Sequence, residues 1–154
     1  MRKSEPTNAK QGNVAKADSY KEAHKRITEA EEQHFFIEAT AIMESIMSDR
    51  ILSYLHGSCD MPIMSENGKS WNFYSLINKL KKHCGDVEME KLCDELHEWR
   101  DDRNKTIHAI VKSAPGSAPI SVDIFLEKAQ QTCANGKRLT RAIENWTRRK
   151  KKEA

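Results

Sequence analysis

The chain has 154 residues, a formal net charge of +3, 32% charged residues and 38% hydrophobic ones. That length supports one domain with a real core and is too short for two. No stretch approaches the roughly 20 apolar residues of a membrane span, and the N-terminus lacks the apolar segment of a signal peptide, so the expectation is a cytoplasmic protein with no membrane partner. The composition is rich in Glu, Lys, Ala, Met and Leu and poor in Gly and Pro, and it leans to helix. The four cysteines, Cys59, Cys84, Cys93 and Cys133, include no C-x-x-C and read as small core residues of a reducing compartment.

In chain order, residues 1–17 are polar and aperiodic and predict a disordered basic arm. From about Asp18 to Gly57 the pattern is helical, as one helix or as two joined near Glu31–His34, with Gly57 as the expected stop. After residue 34 this segment is apolar on two sides, with Phe36, Met43, Met47 and Tyr54 on one strip and Phe35, Ile42 and Ile46 on another. Both strips must be covered, by other helices or by a second subunit. Residues 58–70 form a loop broken by Pro62 and Asn67-Gly68. A short helix is predicted over Trp71–His83, ended by Gly85, and another over Val87–Lys112. After a turn at 113–119, a last helix starts near Ser121 and repeats Phe125, Ala129, Cys133, Leu139, Ile143 and Trp146 at three- and four-residue steps. No strand pattern and no internal repeat is present. The fold class is all-α, an up-and-down bundle of four to five helices over residues 18–147, with a basic tail at 148–154.

The helix of residues 87–112 carries an anomaly. Its apolar stripe is Leu92, Leu96, Trp99, Arg103, Thr106, Ile107 and Ile110, so an arginine occupies the stripe's axis. Asn104 and His108 lie at the edge of that stripe, near Cys93 and His97. A buried guanidinium needs an anion. Glu44 or Asp49 of the long helix can supply a carboxylate, and a phosphate also suits the planar fork of arginine. In a functional reading, arginine holds a phosphodiester, a histidine serves as general acid or base, and Asn104 orients one of them. Those groups suffice to cleave RNA without a metal, because the 2′-hydroxyl is an internal nucleophile.

The segment "RNKTIH", Arg103 to His108, resembles the R-x4–6-H signature of HEPN domains in its R-N-x-x-x-H form. "FFIEATAIMESIMSDRILSYL" is similar to the long first core helix of several bacterial members. The resemblance spans roughly residues 18–147, and the six-residue motif is its specific part. It implies a metal-independent endoribonuclease of a toxin–antitoxin or phage-defence system. It implies a homodimer whose two motifs share one cleft, with Arg103, Asn104 and His108 as catalytic residues, no cofactor, and an antitoxin or regulatory protein as a further partner. A subunit boundary through the stripe would account for an arginine that a monomer would bury.

On a regular helix Arg103 and His108 point about 140° apart. The arginine can curl round the helix, Asp101-Asp102 can mark a break and a fresh cap, or the two residues can come from different chains. Residues 137–152 hold eight Lys or Arg against the single acid Glu144. Under the ribonuclease reading Arg138, Arg141, Arg148, Arg149 and Lys150 are expected to follow an RNA backbone. His83, Cys84, Cys93 and His97 are a weak candidate for zinc, outside the strong spacing patterns, and no metal is expected. Two further readings stand beside the enzyme. One is an inactive helical dimer that binds RNA or a protein partner, and the other is a structural bundle with Arg103 bridged to Glu44 or Asp49.

Overall fold

A computed structural model describes residues 6–153. It contains five helices, α1 (Pro6–Glu32), α2 (Phe36–Cys59), α3 (Phe73–Cys84), α4 (Val87–Ala109) and α5 (Val122–Glu153). Among the described residues the only extended pairing is an isolated bridge between Met64 and Ser70, so the fold is all-α. No helix among them is long and apolar enough to cross a membrane.

The helix ends follow from local chemistry. His34 takes a left-handed backbone at φ 61° and divides the long helical segment into α1 and α2. Asn72 caps α3, its Oδ1 accepting from the Ser75 amide at 2.8 Å, and Asp86 caps α4 in the same way through Met89 at 2.9 Å. Gly85, at φ 61°, ends α3 in the left-handed region, so the α3–α4 turn is a glycine stop followed by an aspartate start. Gly57 does not stop α2. The helix continues through Cys59, and Asp60 takes the left-handed cap at φ 53° with its amide bonded back to the Leu55 carbonyl. Aspartate tolerates that conformation, and an interior glycine costs a helix only about 1 kcal/mol.

Two termini differ from expectation. The arm expected to be disordered over 1–17 is helical from Pro6, a residue suited to a first helical turn because its missing N–H has no partner there. Residues 1–5 lie outside the described residues. Lys16 ties this part of α1 to α2 through Asp49 at 3.0 Å and the Ser53 hydroxyl at 3.4 Å. The basic tail of 148–154 is, as far as Glu153, the last turns of α5.

Paired side chains give the helix directions. Tyr20 and Lys16 of α1 meet Asp49 and Ser53 of α2, Lys81 and Asn78 of α3 meet Asp94 and His97 of α4, and Glu88 and Glu95 of α4 meet Arg149 and Arg138 of α5. Each of these helix pairs is antiparallel. The α2–α3 pair is parallel instead, since Ser58 near the end of α2 meets His83 near the end of α3. Residues 60–72 form a crossover long enough to return along the twelve-residue α3, and the up-and-down expectation fails at that connection. Ile42 and Ile46 share the flank of α2 that carries Asp49 and Ser53, so α1 covers that part of the second apolar strip and leaves Phe35 exposed.

The core's central side chain is Trp99 of α4, which is wholly buried. Its Nε1 donates to the Thr132 carbonyl of α5 at 2.9 Å, and the Phe73 ring of α3 stands edge-on at 6.2 Å. The indole also lies against Gly136 of α5, where an added Cβ would come within 2.8 Å of Trp99 Cζ2 and Nε1. Gly136→Ala is therefore expected to destabilise the fold. The overpacking cost of about 1–3 kcal/mol exceeds the helix-propensity gain of about 1 kcal/mol. Urea denaturation checks this, and a variant more stable than wild type contradicts it.

Candidate functional site

Arg103 stands one turn beyond Trp99, and its guanidinium carbon is 5.7 Å from the indole ring centre. Its side chain is only 14% exposed. The counter-ion is Glu44 of α2, which accepts from Arg103 Nη1. Asp49 faces the other flank of α2, where it receives the Tyr20 hydroxyl and Lys16. Of the two carboxylates that could balance the arginine, Glu44 does so. The second fork nitrogen, Nη2, donates to Asn104 Oδ1 at 3.1 Å. Arg103 Nε is buried and has no hydrogen-bond partner among the described residues.

The bond to Asn104 bears on the angular gap between Arg103 and His108. Helix α4 is continuous through Ala109, so Asp101-Asp102 makes no break and no fresh cap. The guanidinium instead reaches sideways toward Asn104. His108 is exposed and lies one turn beyond Asn104 on the same flank of α4. The structure thus joins Arg103 and Asn104 directly and places the histidine about 7.5 Å from Arg103 along the helix axis.

These residues sit at one end of the bundle. A small cavity of about 10 Å³ gathers Phe36, Ile37 and Thr40 of α2, Arg103, Thr106 and Ile107 of α4, and Ala129 and Thr132 of α5. Exposed apolar residues surround the same end: Phe35 before α2, Ile110 and Val111 after α4, and Val122, Ile124 and Leu126 on the first turns of α5. Val111 is 77% exposed. On the opposite flank of α4, a groove of about 470 Å³ runs between α4 and α5, with Lys105, Lys128, Gln131 and Asn135 on its walls.

The basic residues of α5 expected to follow RNA, from Arg138 onward, do not join this end. Arg138 pairs with Glu95 at 3.2 Å and Arg149 with Glu88 at 3.1 Å, while Lys150 pairs with Glu153 at 3.3 Å and lies 5.7 Å from the Trp146 ring centre. Arg141 and Arg148 are exposed. Glu88 is twenty residues before His108 on α4, which places Arg149 about 30 Å from the histidine along the axis. Within one chain the tail and the motif are separate surfaces.

The zinc candidate disperses. Cys93 is buried with its Sγ on Met89 Sδ, and burial pushes its thiol up to about 12. His97 instead shares a hydrogen bond with Asn78 Oδ1 at 2.9 Å. No group of three His, Cys, Asp or Glu side chains able to hold a metal exists among the described residues. Cys133 is likewise a core thiol, pushed up to about 11 by burial.

One arrangement had no counterpart in the sequence pattern. Tyr74 of α3 packs against His97 and Arg100 of α4, with ring centres 5.2 Å apart for the first pair and the guanidinium 5.0 Å over the tyrosine for the second. His97, Arg100, Asn104 and His108 fall within about 80° of one another around α4. That polar stripe can be read from spacing, but the tyrosine that meets it comes from another helix.

No family model, no curated protein and no solved structure matches the chain.

The Arg103–Glu44 pair is largely screened from solvent and is expected to couple energetically. A double-mutant cycle of Arg103→Met and Glu44→Gln should give a coupling of about 1 kcal/mol in urea denaturation. Additive single effects would contradict the pairing.

Proposed function

We propose that the protein is a metal-independent endoribonuclease of the HEPN type, acting in the cytoplasm as a homodimer in a toxin–antitoxin or defence setting. The observation that carries this reading is the Arg103–Asn104 hydrogen bond on a half-buried turn, with His108 exposed on the next turn of the same flank. The apolar side chains around that end, Phe35, Ile110, Val111, Val122, Ile124 and Leu126, supply a surface for a second copy. Docking there would set two motifs face to face.

The chemistry follows from the residue types. The 2′-oxygen attacks phosphorus, the bond to the 5′-oxygen breaks, and the products are a 2′,3′-cyclic phosphate and a 5′-hydroxyl. One histidine takes the 2′-hydroxyl proton, and the same histidine of the second copy protonates the leaving oxygen. Arg103 balances the charge that builds on the phosphoryl oxygens. Its Nη1 and Nη2 each carry a second N–H beyond those directed at Glu44 and Asn104, so phosphate can be received while Asn104 keeps the fork in place.

A second reading is favoured by the Glu44 contact itself. Arg103 already has a carboxylate, and the basic end of α5 is remote from the motif. In that reading the protein is an inactive helical dimer of the same kind, binding RNA or a protein partner.

The two readings separate in a cleavage assay on mixed RNA in EDTA. The enzyme reading expects cleavage by wild type and a loss of about 10²–10⁴-fold in His108→Ala. Since His108 is exposed, that variant should keep the wild-type melting temperature. Arg103→Ala should also lose cleavage, with some loss of stability from the orphaned Glu44. No cleavage by wild type, or equal cleavage by all three, removes the enzyme reading.

A further inference from the structure

A second aromatic–cation surface lies beside the motif and has no part in the steps above. Tyr74, near the start of α3, is 50% exposed although α4 packs beside it. The Arg100 guanidinium lies 5.0 Å over its ring, and the His97 ring stands 5.2 Å away at a tilt of 55°. Asn78, one turn further along α3, fixes the His97 ring through the 2.9 Å hydrogen bond. Burial first, and the Arg100 charge second, hold the His97 imidazole below its usual range, which favours the neutral ring. The nearby acids are engaged: Asp94 holds Lys81 at 2.7 Å, and Asp101 holds Arg100 at 3.2 Å.

Interleaved aromatic and basic side chains on an open surface are what an unpaired nucleic acid strand requires. Every base offers a π-face to an aromatic ring, and guanidinium adds a cation–π contact while balancing phosphate. Arg100, Asn104 and His108 are successive turns of one flank of α4, spanning about 12 Å along the axis. A strand whose scissile phosphate lies at Asn104 and His108 therefore passes Tyr74 and Arg100 with a neighbouring nucleotide.

We infer that Tyr74, His97 and Arg100 form a nucleobase-binding platform that stacks an unpaired base of single-stranded RNA beside the phosphate held at Asn104 and His108. The identity of the polymer rests on the ribonuclease reading; the platform itself is tested by binding alone.

The probe is a 2′-O-methyl RNA octamer, which lacks the nucleophile and cannot be cleaved. Its affinity is measured for full-length wild type, Tyr74→Ala, Tyr74→Trp and His108→Ala. Tyr74→Ala is expected to weaken binding roughly 10- to 100-fold, the range set by stacking one base. Tyr74→Trp should restore it. An octamer with abasic sites throughout should bind weakly to wild type and show no dependence on Tyr74. Equal affinity of Tyr74→Ala and wild type for the full octamer overturns the platform. So does no binding by wild type, or an equal Tyr74 effect on the abasic strand. Tyr74-dependent binding without any cleavage of ordinary RNA leaves the platform standing and removes the enzyme. Cleavage that needs His108 and ignores Tyr74 does the reverse.

Discussion

The burial of Trp99 fixes helix α4, and every element of the candidate site takes its position from that helix. The indole is sealed between α3 and α5, donates to the Thr132 carbonyl, and lies where Gly136 leaves no Cβ. A side chain that large, held by both shape and a directional bond, sets the rotation of α4 as well as its depth. One turn later the same rotation carries Arg103 toward α2, over the edge of the indole and against Glu44. It also turns Asn104 and His108 outward, beyond the start of α3. The arginine's place in the apolar stripe is thus a consequence of how the tryptophan is seated.

That placement gives the guanidinium two kinds of neighbour. Glu44 satisfies its charge, as a monomer with a half-buried cation requires. Asn104 directs the other arm of the fork toward the flank where His108 and Arg100 lie. The first contact suits a structural arginine, and the second turns it toward a polar surface that also carries an aromatic platform. In the proposed dimer, the exposed apolar residues at this end of the bundle form the covered face. Ribonuclease action as a dimer accommodates all three features, and the inactive-dimer reading accommodates the first and third.

Much of this was legible from the chain alone. The helices and most of their limits followed from Gly85, from the Pro and Asn-Gly breakers and from apolar spacing, while the Asn72 and Asp86 caps became visible in the structure. The arginine, asparagine and histidine stood out because they interrupt a regular stripe. Glu44 was one of two carboxylates able to meet Arg103. The two are five residues apart on α2 and face different flanks, so the choice depended on which side α4 occupies, a tertiary fact that periodicity does not contain. Gly57 misled because glycine permits a stop without requiring one, and Asp60 could take the left-handed turn as well. The parallel run of α3 beside α2 was hidden in the crossover of residues 60–72, whose path has no periodic signature. The separation of the basic end of α5 from the motif follows from the short 110–121 connection, which makes α4 and α5 antiparallel and sends that end to the start of α4. Tyr74 escaped notice because its partners lie more than twenty residues away.

Arg103, Asn104 and His108 are proposed to break RNA by internal transfer to the 2′-oxygen. The most direct measurement is mass spectrometry of the ends produced from a defined RNA oligonucleotide in EDTA, for wild type and His108→Ala. Fragments ending in 2′,3′-cyclic phosphate or 3′-phosphate with matching 5′-hydroxyl ends are expected for wild type and not for the variant. Intact RNA with both proteins, or fragments bearing 5′-phosphate ends, would contradict it.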